Sequence, residues 1–143
     1  GVPQTIKGCL KNNIGRSPKN RKKMAVRAVG GKIAITHYKV ELKFGIIASL
    51  LGCHLKTGRT HQIRVHMASI GHPVLADPIY SRVSAITARM PSDIRCVVRG
   101  FPRHALHAYK LGFSHPTTGK RKVFESELPG DMAALLEGLA RKN

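Results

Sequence analysis

The spacing of hydrophobic positions changes several times along the chain. In KIAITHYKVELKF (32–44), β-branched and apolar residues alternate with polar ones, which predicts a strand with one buried face. IIASLLGCHLKT (46–57) predicts a second strand, and Gly45 between the two predicts a hairpin. The period then lengthens. In THQIRVHMASI, Ile63, Met67 and Ile70 stand at i, i+4 and i+7, so the spacing predicts a helix with those three facing the core. Thr60 is placed to cap its start, and Gly71 with Pro73 beyond it to end it. HPVLADPIYSR predicts a loop, and residues 83 to 102 carry little pattern. RHALHAYKLGFS (103–114) and KRKVFESEL (120–128) flank HPTTG, a hairpin signature. In DMAALLEGLARK, Met132, Leu135, Leu136 and Leu139 share one helical face. Asp131 opens that helix and Arg141 and Lys142 close it, in the sense the helix dipole favours. Residues 1–31 combine a Ser-Pro turn, a cationic cluster and Gly-Gly, and predict an irregular basic loop region. The whole predicts an α+β fold: a mainly antiparallel mixed sheet with flanking helices.

Composition narrows the class. With 143 residues and 42% hydrophobic positions, the chain is sized for one domain with a core. No apolar run is long enough to span a bilayer and no leader opens the chain, so no membrane partner is expected. Cys9, Cys53 and Cys96 are odd in number and far apart, which predicts reduced thiols and a cytoplasmic protein. Charge changes the picture most. Lys and Arg total 25 against 7 Asp and Glu, a formal +18. Glu41 is the first acid, and only Asp77 and Asp93 follow before Glu125. A surface so basic attracts polyphosphate, which makes nucleic acid the expected partner. Arg16, Lys19, Arg21, Lys22 and Lys23 are the candidate RNA contacts on the first loop.

The stretch LKTGRTHQIRVHMASIGHP (55–73) concentrates the candidate chemistry. A Thr57–Gly58 turn delivers the chain to a helix start, whose free N–H groups and positive dipole end suit an anion. Arg59 and Arg64 add guanidinium forks, and Arg64 falls at the boundary between core and surface. Such an arginine either braces a loop or pairs with a carboxylate or phosphate, and the residues alone do not separate the two. Metal chemistry is not expected. His61 and His66 are five apart on a helix, and His104 and His107 three apart on an expected strand, so neither pair shares a face. There is no G-x-S-x-G turn, no Walker loop and no G-x-G-x-x-G.

TGRTHQIRVHMASIGHP followed by ADPIY resembles the long signature of the RluA/RluD-type pseudouridine synthases of large-subunit ribosomal RNA. IGRSPKNRKKMAV resembles their basic loop, AITHYKV their Thr-His-Tyr strand, RHALHAYKLGFSHPTTGK their late hairpin, and LPGDM their closing helix entry. The resemblance implies residues 1–143 as the C-terminal portion of the catalytic domain, with 1–31 the basic loop region and 32–143 the sheet and helices. It implies isomerisation of uridine to pseudouridine in ribosomal RNA, by base flipping and an aspartate nucleophile, without metal or organic cofactor. It makes Arg64 the arginine that pairs with that aspartate, and Arg59, Thr60, His61 and Gln62 the turn and helix start shaping the cleft and candidate RNA contacts, with a core-and-cap role equally open for Thr60 and His61.

The chain departs from the family at one decisive point. The nucleophile stands in an Arg-Leu-Asp stretch well before the signature, and nothing here matches it. Asp77 matches a structural Asp, and Asp93 and Asp131 stand in unrelated contexts. The chain is therefore expected to be inactive alone: a fragment, a gene remnant, or a non-catalytic RNA-binding or ribosome-associated protein reusing the half-fold. Arg64 is expected to lack an ion-pair partner and to reach solvent, an anion or another chain. Self-association, or pairing with the missing first half, is expected for the same reason.

Overall fold

The computed structural model describes residues 1–81 and 90–141. The expected α+β class is what it shows. A four-stranded antiparallel sheet runs in the order β2-β1-β3-β4, from β1 (Lys7–Arg16), β2 (Met24–Arg27), β3 (Lys32–Phe44) and β4 (Ala48–Leu55). A separate hairpin pairs β5 (Lys110–Ser114) with β6 (Arg121–Glu125). Three helices complete the described elements: α1 (Gln62–Ser69), α2 (Ser92–Gly100) and α3 (Gly130–Ala140).

Two strands occupy the region expected to be irregular. KGCLKNNIGR is polar on both faces, so hydrophobic alternation is faint, yet it pairs with β3 from Lys7↔Lys39 to Ile14↔Lys32. Its one fully buried side chain, Ile14, packs with Ala34 and Val65 beneath α1. The turn into β3 uses Gly31 at φ 79, where an added Cβ would stand 2.8 Å from the Ile14 carbonyl oxygen. Only a glycine fits so close to the neighbouring strand.

The β3–β4 hairpin forms at Gly45 as expected, with φ 51. Its far end feeds the larger core. Phe44 and Ala48 pack there against Ile94 and Val98 of α2 and Met132, Leu135 and Leu139 of α3. The helix over 92–100 falls in the stretch that carried little pattern, and residues 82–89 of that stretch lie outside those described. In α3 the expected face is the inner one, with Leu136 partly buried beside it. Asp131 opens the helix and pairs with Arg103, while Lys142 lies outside the described residues.

The start of α1 departs from expectation. Its N-cap is His61, in the left-handed region at φ 57 and without a side-chain cap, rather than Thr60. Its buried face is Gln62, Arg64, Val65, His66 and Met67, whereas Ile63 and Ile70 are only half-buried. The polar residues can turn inward because each finds partners there. The end behaves as expected. Gly71 donates to the Ala68 carbonyl (3.1 Å) and His72 to that of Met67 (2.9 Å), with Gly71 at φ 81, which closes a Schellman motif.

Candidate active site

Two polar networks hold α1 against the sheet. The first is built on Gln62. Its side-chain oxygen accepts from the Thr57 hydroxyl (2.8 Å) and the Arg59 backbone N–H (2.9 Å). Its amide nitrogen donates to the Ile35 carbonyl (3.0 Å) and to Thr36 Oγ1 (2.9 Å). Both ends of the amide are thereby saturated inside the protein. Gln62 is 3% exposed, and its side chain shapes the turn. Thr36 also meets His66 Nδ1 at 2.9 Å, and burial of the His66 ring lowers its pKa. Arg59 is braced by its own bond from Nε to the Ile33 carbonyl (3.0 Å), and Thr60 is exposed.

The second network centres on Arg64. Its Nε donates to Asp77 Oδ2 at 2.7 Å and its Nη2 to Asp77 Oδ1 at 2.8 Å, a bidentate pair. Asp77 is fully buried and the Arg64 side chain is 9% exposed. Asp77 Oδ1 accepts further from the Ile79 (2.9 Å) and Tyr80 (3.1 Å) backbone N–H groups. Burial by itself would raise the Asp77 carboxyl. The Arg64 bonds and the two backbone donors outweigh it and hold the group below the ordinary carboxylate range. The same pairing raises the Arg64 guanidinium.

This corrects the expectation that Arg64 lacks a partner. A residue thirteen positions on supplies one, and a side chain that neutralises its charge inside the fold does not need to seek solvent or an anion. The pair engages two of the five guanidinium N–H groups, so a second acceptor can still be met.

Tyr80 closes the site from the other side. Its ring centroid lies 4.9 Å from Arg64 Cζ, and its hydroxyl is 2.8 Å from His61 Nδ1. Desolvation first, and then the Arg64 charge, lower the His61 pKa, so the imidazole is neutral at neutral pH. The Tyr80 hydroxyl also accepts from the Met24 backbone N–H at 3.0 Å, where the basic loop leaves for β2.

The basic loop is ordered. Arg16 ends β1 and donates to the Arg21 carbonyl (3.0 Å), and the Ser17 backbone N–H donates to that of Lys23 (2.9 Å). Lys19, Arg21 and Lys22 are exposed. Lys23 is half-buried and directed inward, with Nζ donating to the Ile79 carbonyl at 2.8 Å. Arg59, His61, Gln62 and Arg64 thus meet at one turn, the loop cations stand apart, and Lys23 bridges the two. The sequence alone assigned Tyr80 and Thr36 no site role, because their part is visible only once their partners are placed. His104 and His107 lie in a connection rather than on a strand, and no group of three metal-ligating side chains forms among the described residues. No described helix is long and apolar enough to cross a membrane.

A family model described as RNA pseudouridylate synthase matches residues 2–69, which span β1 to β4 and α1. A Nitrosomonas europaea protein named ribosomal large subunit pseudouridine synthase D is 51% identical over 132 residues. The chain is a pseudouridine synthase relative. A Zymomonas mobilis protein of the same name is 43% identical over 140 residues. The alignments take in 92% and 97% of this chain but 36% and 42% of those proteins, so this pseudouridine synthase relative spans about two fifths of their length. The solved structure of human RNA Pseudouridylate Synthase Domain Containing 1 superposes with a TM-score of 0.70 at 26% identity, over 100% of this chain and 62% of that one.

Proposed function

We propose that residues 1–143 form the arginine-bearing portion of the catalytic domain of an RNA pseudouridine synthase acting on large-subunit ribosomal RNA. The observation that carries this reading is the convergence of Tyr80 and His61 on the buried Arg64–Asp77 pair, all from the stretch that resembles the family signature. In the reaction the family implies, a uridine leaves its stack and a carboxylate attacks or deprotonates the nucleoside. The C1′–N1 bond breaks, the base rejoins C1′ through C5, the C5 hydrogen leaves as a proton, and N1 takes up a proton. Asp77 holds Arg64 rigid and leaves guanidinium N–H groups to orient and keep ionised a second carboxylate. That carboxylate is not Asp77, which is saturated, nor Asp131, which is paired with Arg103. The resemblance assigns it to an Arg-Leu-Asp stretch that these 143 residues do not contain. Lys19, Arg21 and Lys22, with Arg16 at the strand end, supply phosphate contacts for the RNA, and Arg59, Thr60 and His61 line the approach.

The test is a chimera. The matching segment of the Nitrosomonas europaea synthase is replaced by this chain, and tritium release from ribosomal RNA labelled at uridine C5 is counted. Release above a no-protein blank is expected. A folded, RNA-binding chimera that releases none would contradict the proposal.

A further inference from the structure

The basic loop and the Arg64 cluster are joined by a short strut. Ile79 and Tyr80 each bond in two directions. Their backbone N–H groups donate to Asp77 Oδ1, at 2.9 and 3.1 Å, on the side of the arginine. Toward the loop, the Ile79 carbonyl accepts from Lys23 Nζ at 2.8 Å and the Tyr80 hydroxyl accepts from the Met24 N–H at 3.0 Å. That hydroxyl also meets His61 Nδ1 at 2.8 Å. With the Met24 N–H as its donor, the Tyr80 O–H is free to donate to the neutral imidazole. His61 itself holds a left-handed backbone at φ 57, a conformation that non-glycine residues keep only when their surroundings enforce it. The bond to Tyr80 is such a constraint. Loop exit, Ile79–Tyr80, Asp77 and Arg64 therefore form one continuous chain of short polar contacts.

We infer that Lys23 and Tyr80 are positioning residues that couple the basic loop to the Arg64 guanidinium, so that RNA held by Lys19, Arg21 and Lys22 stiffens the Arg64–Asp77 pair. The identity of the two ends rests on the proposed synthase reading, but the coupling itself does not. Lys23 takes no RNA phosphate. One of its three ammonium N–H groups is directed to the Ile79 carbonyl, and its work is to transmit the position of the loop. The side chain of Lys22, one residue away, is exposed and has no part in the strut.

Hydrogen exchange at the Arg64 Nε–H, followed by nitrogen-15 NMR on the whole chain, reads the coupling directly. Lys23→Met should speed that exchange, Lys23→Arg should restore protection by keeping a donor, and Lys22→Met should leave it unchanged. Tyr80→Phe, which keeps the ring beside Arg64, should also speed it, and serves if Lys23→Met does not fold. Unchanged exchange in folded Lys23→Met or Tyr80→Phe would overturn the coupling. In a second arm, a short oligouridylate should slow Arg64 exchange in the unsubstituted protein and fail to do so in Lys23→Met/Tyr80→Phe. Failure of oligouridylate to bind the unsubstituted protein would count against the RNA reading alone, because the first arm contains no RNA. Binding that slows Arg64 exchange equally in both proteins would overturn the strut.

Discussion

Arg64 and Asp77 meet through two hydrogen bonds of 2.7 and 2.8 Å, and the pair is buried. Both charges are satisfied within these residues. Removing one partner leaves the other desolvated and unpaired. Arg64→Ala should therefore destabilise the chain by about 3–5 kcal/mol in urea unfolding. A double-mutant cycle with Asp77→Ala should show a coupling of roughly 0.5–3 kcal/mol. A near-neutral Arg64→Ala would mean that the pair does not form in solution.

This reverses what the sequence implied, and the reason is physical. Hydropathy patterns register apolar side chains, and the inner face of α1 is mostly polar. Gln62, Arg64 and His66 are buried because each is hydrogen-bonded inside: Gln62 donates to Ile35 and Thr36 and accepts from Thr57, Arg64 donates to Asp77, and His66 meets Thr36. None of those pairings has a period. Of the Ile63–Met67–Ile70 stripe only Met67 is fully buried, for the same reason. The β3–β4 hairpin, the late hairpin and α3 were legible because Gly45, HPTTG and the Met132–Leu139 face carry local signals. β1 was not legible, since its ten residues are polar on both sides and it owes its place to pairing with β3. The signature residues of the site could be read as a group. Their partners Thr36 and Lys23 could not, because the fold brings them in from distant sequence.

RNA binding should be electrostatic and should distinguish neighbouring cations. Changing Arg21 and Lys22 to Ala should flatten the salt dependence of oligouridylate binding, by roughly 0.7 in log K against log salt for each phosphate that is no longer neutralised. Lys23→Ala should leave that slope near its original value and lower stability instead, because its Nζ is bound to the Ile79 carbonyl. Filter binding across a salt series decides this. An unchanged slope in the Arg21/Lys22 variant would show that the loop does not touch phosphate.

Acid should weaken the fold in two stages. The pKa values of His61 and His66 are lowered from 6.5 in the folded chain, so the unfolded chain binds the extra protons. Their contribution is complete above about pH 6.5 and is lost as the pH falls through the lowered folded values. Asp77 is lowered from 3.8, so its contribution is present above that value and disappears at still lower pH. Urea midpoints should hold steady above neutrality and fall below it. His66→Gln should reduce the first stage, and a midpoint that rises on mild acidification would contradict the assignment.

The chain by itself should not form pseudouridine, because the nucleophilic carboxylate is not among Asp77, Asp93 and Asp131. Incubation with C5-tritiated ribosomal RNA should release no more tritium than a blank. Release by the chain alone would require one of these three residues to be the nucleophile.

The central claim is that Arg64 has a second carboxylate to serve once the absent nucleophile is supplied. The chimera with the Nitrosomonas europaea synthase tests it through Arg64→Lys, which keeps a positive charge but loses the guanidinium fork. Tritium release should fall by roughly 100-fold or more, the scale on which a pre-placed charge or donor acts in a transition state, while oligouridylate affinity changes little. Release within twofold of the unsubstituted chimera, from a protein that still folds and binds RNA, would show that Arg64 is only a brace for Asp77.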